Sequence, residues 1–167
     1  MATDPVLELI LGQFATELRT IAAPTHSQTV GSNVHRRWPN EALLTEPQPA
    51  IYLFSGTERK MLTGTQGDAI GLGVPIGIQG SLLELEVVFL AKCTPATREQ
   101  VGRRFAADIE SVLVQPDRVI GGSVVRVEAS ECDLYVQDQY EDQAGGHAQF
   151  LVYHEYALGD PRSGVAG

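Results

Sequence analysis

Glu84 and Glu86 stand two residues apart in Leu83 to Phe89, a spacing that sets both carboxylates on one face of a strand. A glycosidase uses such a pair as acid and nucleophile or base. The exposed polar side of a half-buried strand needs the same spacing and no chemistry. His154 lies at strand spacing from Val152 and Tyr156, which reads as a packed histidine rather than a ligand. His26, His35 and His147 are scattered through loops. Cys93 and Cys132 form no CxxC and have no His spacing, so no metal site is expected. A disulfide between them would need an oxidising compartment, which nothing in the sequence indicates. Asp138 to Asp142 fails as a calcium loop, because Tyr140 occupies a ligand position and the later Glu is missing. Ser55 has no GxSxG elbow around it. The Gly-rich run Gly64 to Gly80 lacks GxxxxGK[ST] and leads into a strand, not a helix, so it does not cradle phosphate. No catalytic residue, metal or cofactor is expected.

The elements that would position these residues follow from periodicity. Asp4-Pro5 opens a first helix, with Asp as cap and Pro at the first helical position. Leu7, Ile10, Leu11, Phe14, Leu18 and Ile21 form its apolar face, and Pro24 ends it. A polar crossover over 23–49 contains an edge strand from Val30 to Trp38. Ile51 to Phe54 is a strand, and Leu83, Leu85, Val87 and Phe89 mark a clearer one. Thr94-Pro95 caps a second helix carrying Val101, Phe105, Ile109, Val112 and Leu113, with a Glu99–Arg103 surface pair, and Pro116 stops it. Asp117 to Gly122 is a turn in which Gly121-Gly122 take positive φ. Val125, Val127 and Ala129 line one side of the next strand. Leu134 and Val136 mark another. Ala144-Gly145-Gly146 is the turn before a last strand through Phe150, Val152 and Tyr156. The sum is an α+β single domain: a mostly antiparallel sheet of about four to five strands with two helices packed on one face.

Bulk numbers narrow the function. The chain has 167 residues, 43% of them hydrophobic and 20% charged, as in an ordinary globular domain. Its net charge of −9, from 21 acids and 12 bases, opposes a nucleic-acid binder, which needs Lys and Arg to displace counterions. The acids Asp4, Glu8 and Glu17 in the first helix exclude a signal peptide. No apolar run reaches the ~20 residues that span a bilayer. A soluble protein made in a reducing cytoplasm, with no membrane partner, is expected.

Three local signatures, in this order, carry a resemblance over roughly residues 1–161. They are Pro49-Ala50-Ile51-Tyr52-Leu53 after a crossover with Arg36-Arg37 and Trp38-Pro39; Asp117 to Gly122 after the second helix; and Phe150-Leu151-Val152-Tyr153 with Asp160-Pro161 beyond. The chain resembles the tail terminator (tail completion) proteins of long-tailed bacteriophages. The resemblance implies a homohexameric ring at the head-proximal end of the tail tube. Such a ring stops tube polymerisation and offers a surface for head-tail joining, and genomic DNA passes through it without specific binding. The implied partners are copies of itself, the tail tube protein, a neck or head-completion protein and, in contractile tails, the sheath. The implied location is the virion neck, with assembly in the host cytoplasm. Residues 64–80 are a long insert relative to that pattern, read as a flexible arm, and 162–167 as a disordered tail.

In that setting three segments acquire candidate roles. Leu72, Val74, Ile76 and Ile78 alternate with Gly and Pro and suit an arm that orders on the tube or a neighbouring subunit. Arg36, Arg37, Arg59 and Lys60 are either ordinary surface bases or pair with acids across a ring interface. Glu128, Glu131, Asp133, Asp138, Glu141 and Asp142 are either a solvated face or a channel lining that repels phosphate. Competing readings are another neck connector, and a monomeric ligand-binding module with the 70–78 segment as lid.

Overall fold

The computed structural model describes residues 5–37, 47–61, 78–116, 118–135, 142–157 and 160–161. The element order is α1 (Val6–Leu18), β1 (Val34–His35), β2 (Ala50–Lys60), β3 (Ile78–Lys92), α2 (Arg98–Leu113), β4 (Arg118–Ile120), β5 (Ser123–Leu134) and β6 (Gln143–Ala157). The strands form one sheet in the order β1-β2-β3-β6-β5-β4. All pairs are antiparallel except β1 with β2. The fold is α+β as expected, with six strands among the described residues rather than four to five.

The centre of the sheet is β3 against β6, paired without interruption from Ile78 opposite Ala157 to Lys92 opposite Gln143. Period-two alternation assigns the two faces. Leu83, Leu85, Val87 and Phe89 point one way with Phe150 and Val152, into a core completed by Ile10, Phe14 and Leu18 of α1 and Phe105, Ile109 and Leu113 of α2. Both helices therefore cover the same face. Phe89 and Phe105 meet edge-on, with ring centroids 5.3 Å apart. Across the sheet a small second cluster holds Ala50, Tyr52 and Val88, with Phe54 against it.

Helix ends depart from expectation in instructive ways. α1 stops at Leu18, not at Pro24: the Thr20 hydroxyl and amide both donate to the Glu17 carbonyl (2.6 and 2.9 Å), closing the helix early, although Ile21 stays buried. Pro5 occupies the cap position rather than the first helical one, and Asp4 lies outside the described residues. The Val6 N–H is satisfied from far away in the chain, by the Pro161 carbonyl at 2.8 Å. The Thr94-Pro95 start is a 3-10 turn, Pro95–Thr97, leading into α2; the Thr94 N–H donates to the Thr97 hydroxyl (3.1 Å). The Glu99–Arg103 pair forms at 2.8 Å.

Four strand expectations are corrected. The edge strand expected over Val30 to Trp38 shrinks to Val34–His35, with Arg36 and Arg37 just past it. The Asp117 to Gly122 turn is instead a hairpin: Arg118–Ile120 is β4, and only Gly121 and Gly122 turn, at φ 58° and 74°. Leu134 belongs to β5 and starts no separate strand; Val136 lies outside the described residues. Ala144-Gly145-Gly146 is not a turn but the interior of β6. The glycines are there for space. A Cβ at Gly145 would stand 2.6 Å from Leu90 Cδ2 and 2.7 Å from the Phe89 carbonyl oxygen. One at Gly146 would stand 2.6 Å from the Asp133 carbonyl oxygen and 2.7 Å from Phe89 Cζ.

The same substitution should therefore have opposite signs at two glycines. Gly146→Ala overpacks the sheet and should cost about 1–3 kcal/mol. Gly12→Ala meets nothing within 4 Å in α1 and should gain up to about 1 kcal/mol. Urea unfolding of the two variants beside the parent chain measures both.

Candidate functional site

The face of the sheet without helices is where the charged strand residues gather. By register, Glu84 and Glu86 of β3, Glu155 of β6 and Glu128, Glu131 and Asp133 of β5 share it, against Arg59, Lys92 and Arg126. The three β5 acids share a side only because of a bulge. Ala129 opposes Phe150 and Glu131 opposes Gln149, so Ser130 is an extra residue and alternation flips there. Without it Glu131 and Asp133 would point toward α2. With it they join Glu128, and Cys132 and Leu134 turn to the helix side. Glu128 to Asp133 are all exposed.

Glu86 and Glu84 were readable as a plain polar face, but each is engaged. Glu86 bonds His147 and accepts from Gln149 (2.9 Å), and Glu84 lies 3.5 Å from Arg59. Tyr153 donates to Glu155 at 2.5 Å, and burial together with that bond pushes its phenol pKa up. This wider acidic face was legible in principle. The even positions of β3 and the odd positions of β6 share one side once the β3–β6 pairing is known.

The candidate residues do not form single patches. Arg36 pairs with Glu8 of α1 at 2.6 Å, and the Arg37 guanidinium sits 5.5 Å from the Tyr52 ring centroid. Both lie at the β1 end of β2. Arg59 and Lys60 lie at the opposite end, on opposite faces as strand neighbours must, and a bulge between Ser55 and Glu58 decides that Arg59 takes the helix-free one. Arg59, 72% exposed in its side chain, is on the helix-free face. Lys60 pairs with Glu58 and stands 4.9 Å from the Tyr156 ring on the helix side. Ile78 is the first residue of β3, half-buried opposite Ala157, so residues 78–80 of the expected arm belong to the sheet. Asp142 lies just before β6, its carbonyl accepting the Cys93 N–H at 2.9 Å. Leu72, Val74, Ile76, Asp138, Glu141 and the tail 162–167 lie outside the described residues.

Sequence reasoning missed two polar groupings. Arg118 joins the helices: it bonds Glu17 of α1 at 2.5 Å and the Leu113 carbonyl of α2 at 2.8 Å, over the Phe14 ring. At the end of the sheet, on the helix side, Glu58, Lys60, Ser81, His154 and Tyr156 cluster. Ser81 donates to Glu58 at 2.5 Å, and His154 Nε2 lies 3.7 Å from the same carboxylate. Ser, His and Glu are present, yet not as a triad. The serine bonds the carboxylate, and neither His154 ring nitrogen has a hydrogen-bond partner among the described residues. Ser81 and His154 are almost fully buried. Burial pushes the imidazole pKa down to about 4; Glu58 pulls it up and Lys60 presses it further down. Burial raises the Glu58 carboxyl, but hydrogen bonds from Lys60 and Ser81 outweigh it and hold the group below its usual range.

Among the described residues three grooves flank α2. One of 260 Å³ lies between its start and Tyr135, a second, of 170 Å³, between Ala106, Glu110 and the β5 bulge, and a wider one of 570 Å³ runs past its end beside Glu17, Ser111 and Arg118. Cys132 lines the second. Although the residue is exposed, partial desolvation of its sulfur in this groove, with Asp133 and Glu110 beside it, pushes the thiol pKa up, which disfavours the nucleophilic thiolate. Among the described residues no group of three or more His, Cys, Asp or Glu is placed to hold a metal, and no helix is long and apolar enough to cross a membrane.

The His154 environment yields a pH prediction. Its folded pKa lies below the unfolded value near 6.5, so between about pH 6.5 and pH 4 the unfolded chain binds the extra proton. Stability is full above that window and falls as pH drops through it, by on the order of 3 kcal/mol. Denaturant unfolding at pH 7 and pH 4.5 should show a larger loss for the parent than for His154→Gln.

No protein-family model and no curated protein matches the chain. Among solved structures, it is similar to a chain of the "Virion of native gene transfer agent (GTA) particle", with 14% sequence identity and a TM-score of 0.58. The superposition covers 90% of this chain and 97% of that one, so the two share a fold along nearly their whole lengths.

Proposed function

We propose that this chain is a structural virion protein of a phage-like particle, and within it a tail terminator. Copies form a homohexameric ring on the head-proximal end of the tail tube. The ring stops tube polymerisation, offers a surface to a neck or head-completion protein and, in a contractile tail, meets the end of the sheath. Assembly takes place in the host cytoplasm and the protein resides in the virion neck. The observation that carries the reading is the whole-length fold shared with a chain of a gene transfer agent virion.

The helix-free face supports the channel role. Its carboxylates outnumber its bases, and the β5 bulge adds Glu131 and Asp133 to it. Turned inward, such a face repels phosphate, so a passing duplex finds no counterion-releasing contacts to hold it. Arg36, Arg59 and the acids of β5 are then assembly and channel residues, not catalytic ones.

Polymerising tail tube protein with and without this chain tests the reading. Under electron microscopy, tubes should stop growing and carry a ring at one end only. Tubes of unchanged length with the protein bound elsewhere would point to an adjacent neck connector. Tubes with no bound protein would remove the chain from the neck altogether.

A further inference from the structure

Among the described residues, two strands of the sheet have one open side. β4 covers only Ser123 to Val125 of β5, so among these residues Val127 to Leu134 pair with β6 alone. Among them too, β1 covers only Ile51 and Tyr52 of β2, and Ser55 to Lys60 pair with β3 alone. An open edge presents unpaired backbone donors and acceptors and is a template for another strand. We infer that these edges are the joint between copies of this chain: β5 of one subunit adds antiparallel to β2 of the next.

Three observations commit the edge to this occupant. The first is charge. The open part of β5 carries Glu128, Glu131 and Asp133 and no base, so two β5 edges facing each other would set acid against acid. The open part of β2 offers Arg59, well exposed and held only loosely, 3.5 Å from Glu84. The second is facing. The two bulges put Arg59 on the same helix-free side as the three β5 acids. Side chains alternate with period two, so a stagger of two residues keeps the faces and sets Arg59 opposite Glu128 rather than opposite Arg126. The third is direction. β2, β3, β6 and β5 alternate in sense, so a copy rotated about an axis inclined to the strands brings its β2 to this β5 antiparallel, and the inclination supplies the stagger. The contact uses different surfaces on the two partners, and such head-to-tail joints close into a ring when the rotation between copies divides a full turn.

This inference rests on the ring reading and deepens it by naming the joint. The experiment uses the full chain, alone and on tail tubes, as parent, Arg59→Glu, Glu128→Arg and the double reversal. Circular dichroism and thermal unfolding check that each variant folds. Native mass spectrometry follows assembly, and hydrogen exchange follows the amides of 55–60 and 127–134. Each single reversal should raise the concentration needed for assembly about tenfold or more, because it sets like charges together, and the double reversal should restore it. Both amide segments should exchange more slowly in the parent assembly than in Arg59→Glu. A parent ring whose 55–60 and 127–134 amides exchange as fast as in the single subunit would overturn the joint and leave the ring standing. So would an Arg59→Glu chain that assembles like the parent. A parent that forms no ring, alone or on tubes, would remove both.

Discussion

The rest of the molecule depends on the ladder between β3 and β6. Fifteen residues of each strand pair in an unbroken antiparallel register. That register can hold only because β6 places two glycines where Leu90, Phe89 and the β5 backbone come too close for any side chain. Once it holds, alternation leaves no freedom about faces. Leu83, Leu85, Val87 and Phe89 join Phe150 and Val152, and a slip of one residue would drive Glu84 and Glu86 under the helices. The apolar face then recruits α1 and α2, since neither helix can bury its stripe alone.

Bulges on the strands flanking this ladder decide what the bare face presents. The one in β5 gathers three acids on a single side. The one in β2 resets the alternation, sending Arg59 out and directing Glu58 and Lys60 toward the helix side. Bulged, charged edges are how sheet proteins avoid indiscriminate pairing. Here the signs differ between the two edges, so the same device that forbids one pairing leaves another open. On the proposed reading, the acidic bare face and the selective edges serve assembly with copies of the same chain around a polyanion.

Closure of the fold relies on a few long-range polar contacts. The Pro161 carbonyl accepts from the first amide of α1, and the Ser27 amide and hydroxyl reach Asp108 of α2 at 2.7 and 2.5 Å. Arg118 bridges Glu17 and the Leu113 carbonyl, fixing the two helices to each other beside the β4–β5 hairpin. At that hairpin a Cβ on Gly121 would lie 2.7 Å from Leu9 Cδ1. Such contacts convert two amphipathic helices into one layer of defined orientation.

The sequence by itself determined the amphipathic helices, the alternating strands and the α+β class, because each is written in local periodicity and short-range cap chemistry. It also held the Gly121-Gly122 turn and the Glu99–Arg103 pair, which involve near neighbours. Only the tertiary structure decided that Ala144-Gly145-Gly146 is a strand interior, since the reason is crowding by Phe89 and Leu90 far away in the chain. It likewise decided that Glu131 and Asp133 share a face with Glu128, that Arg59 rather than Lys60 takes the helix-free face, and that His154 is buried beside Glu58. Bulges and strand order have no periodic signature. They are settled by which strands meet, and that is a competition among distant residues for the same buried space.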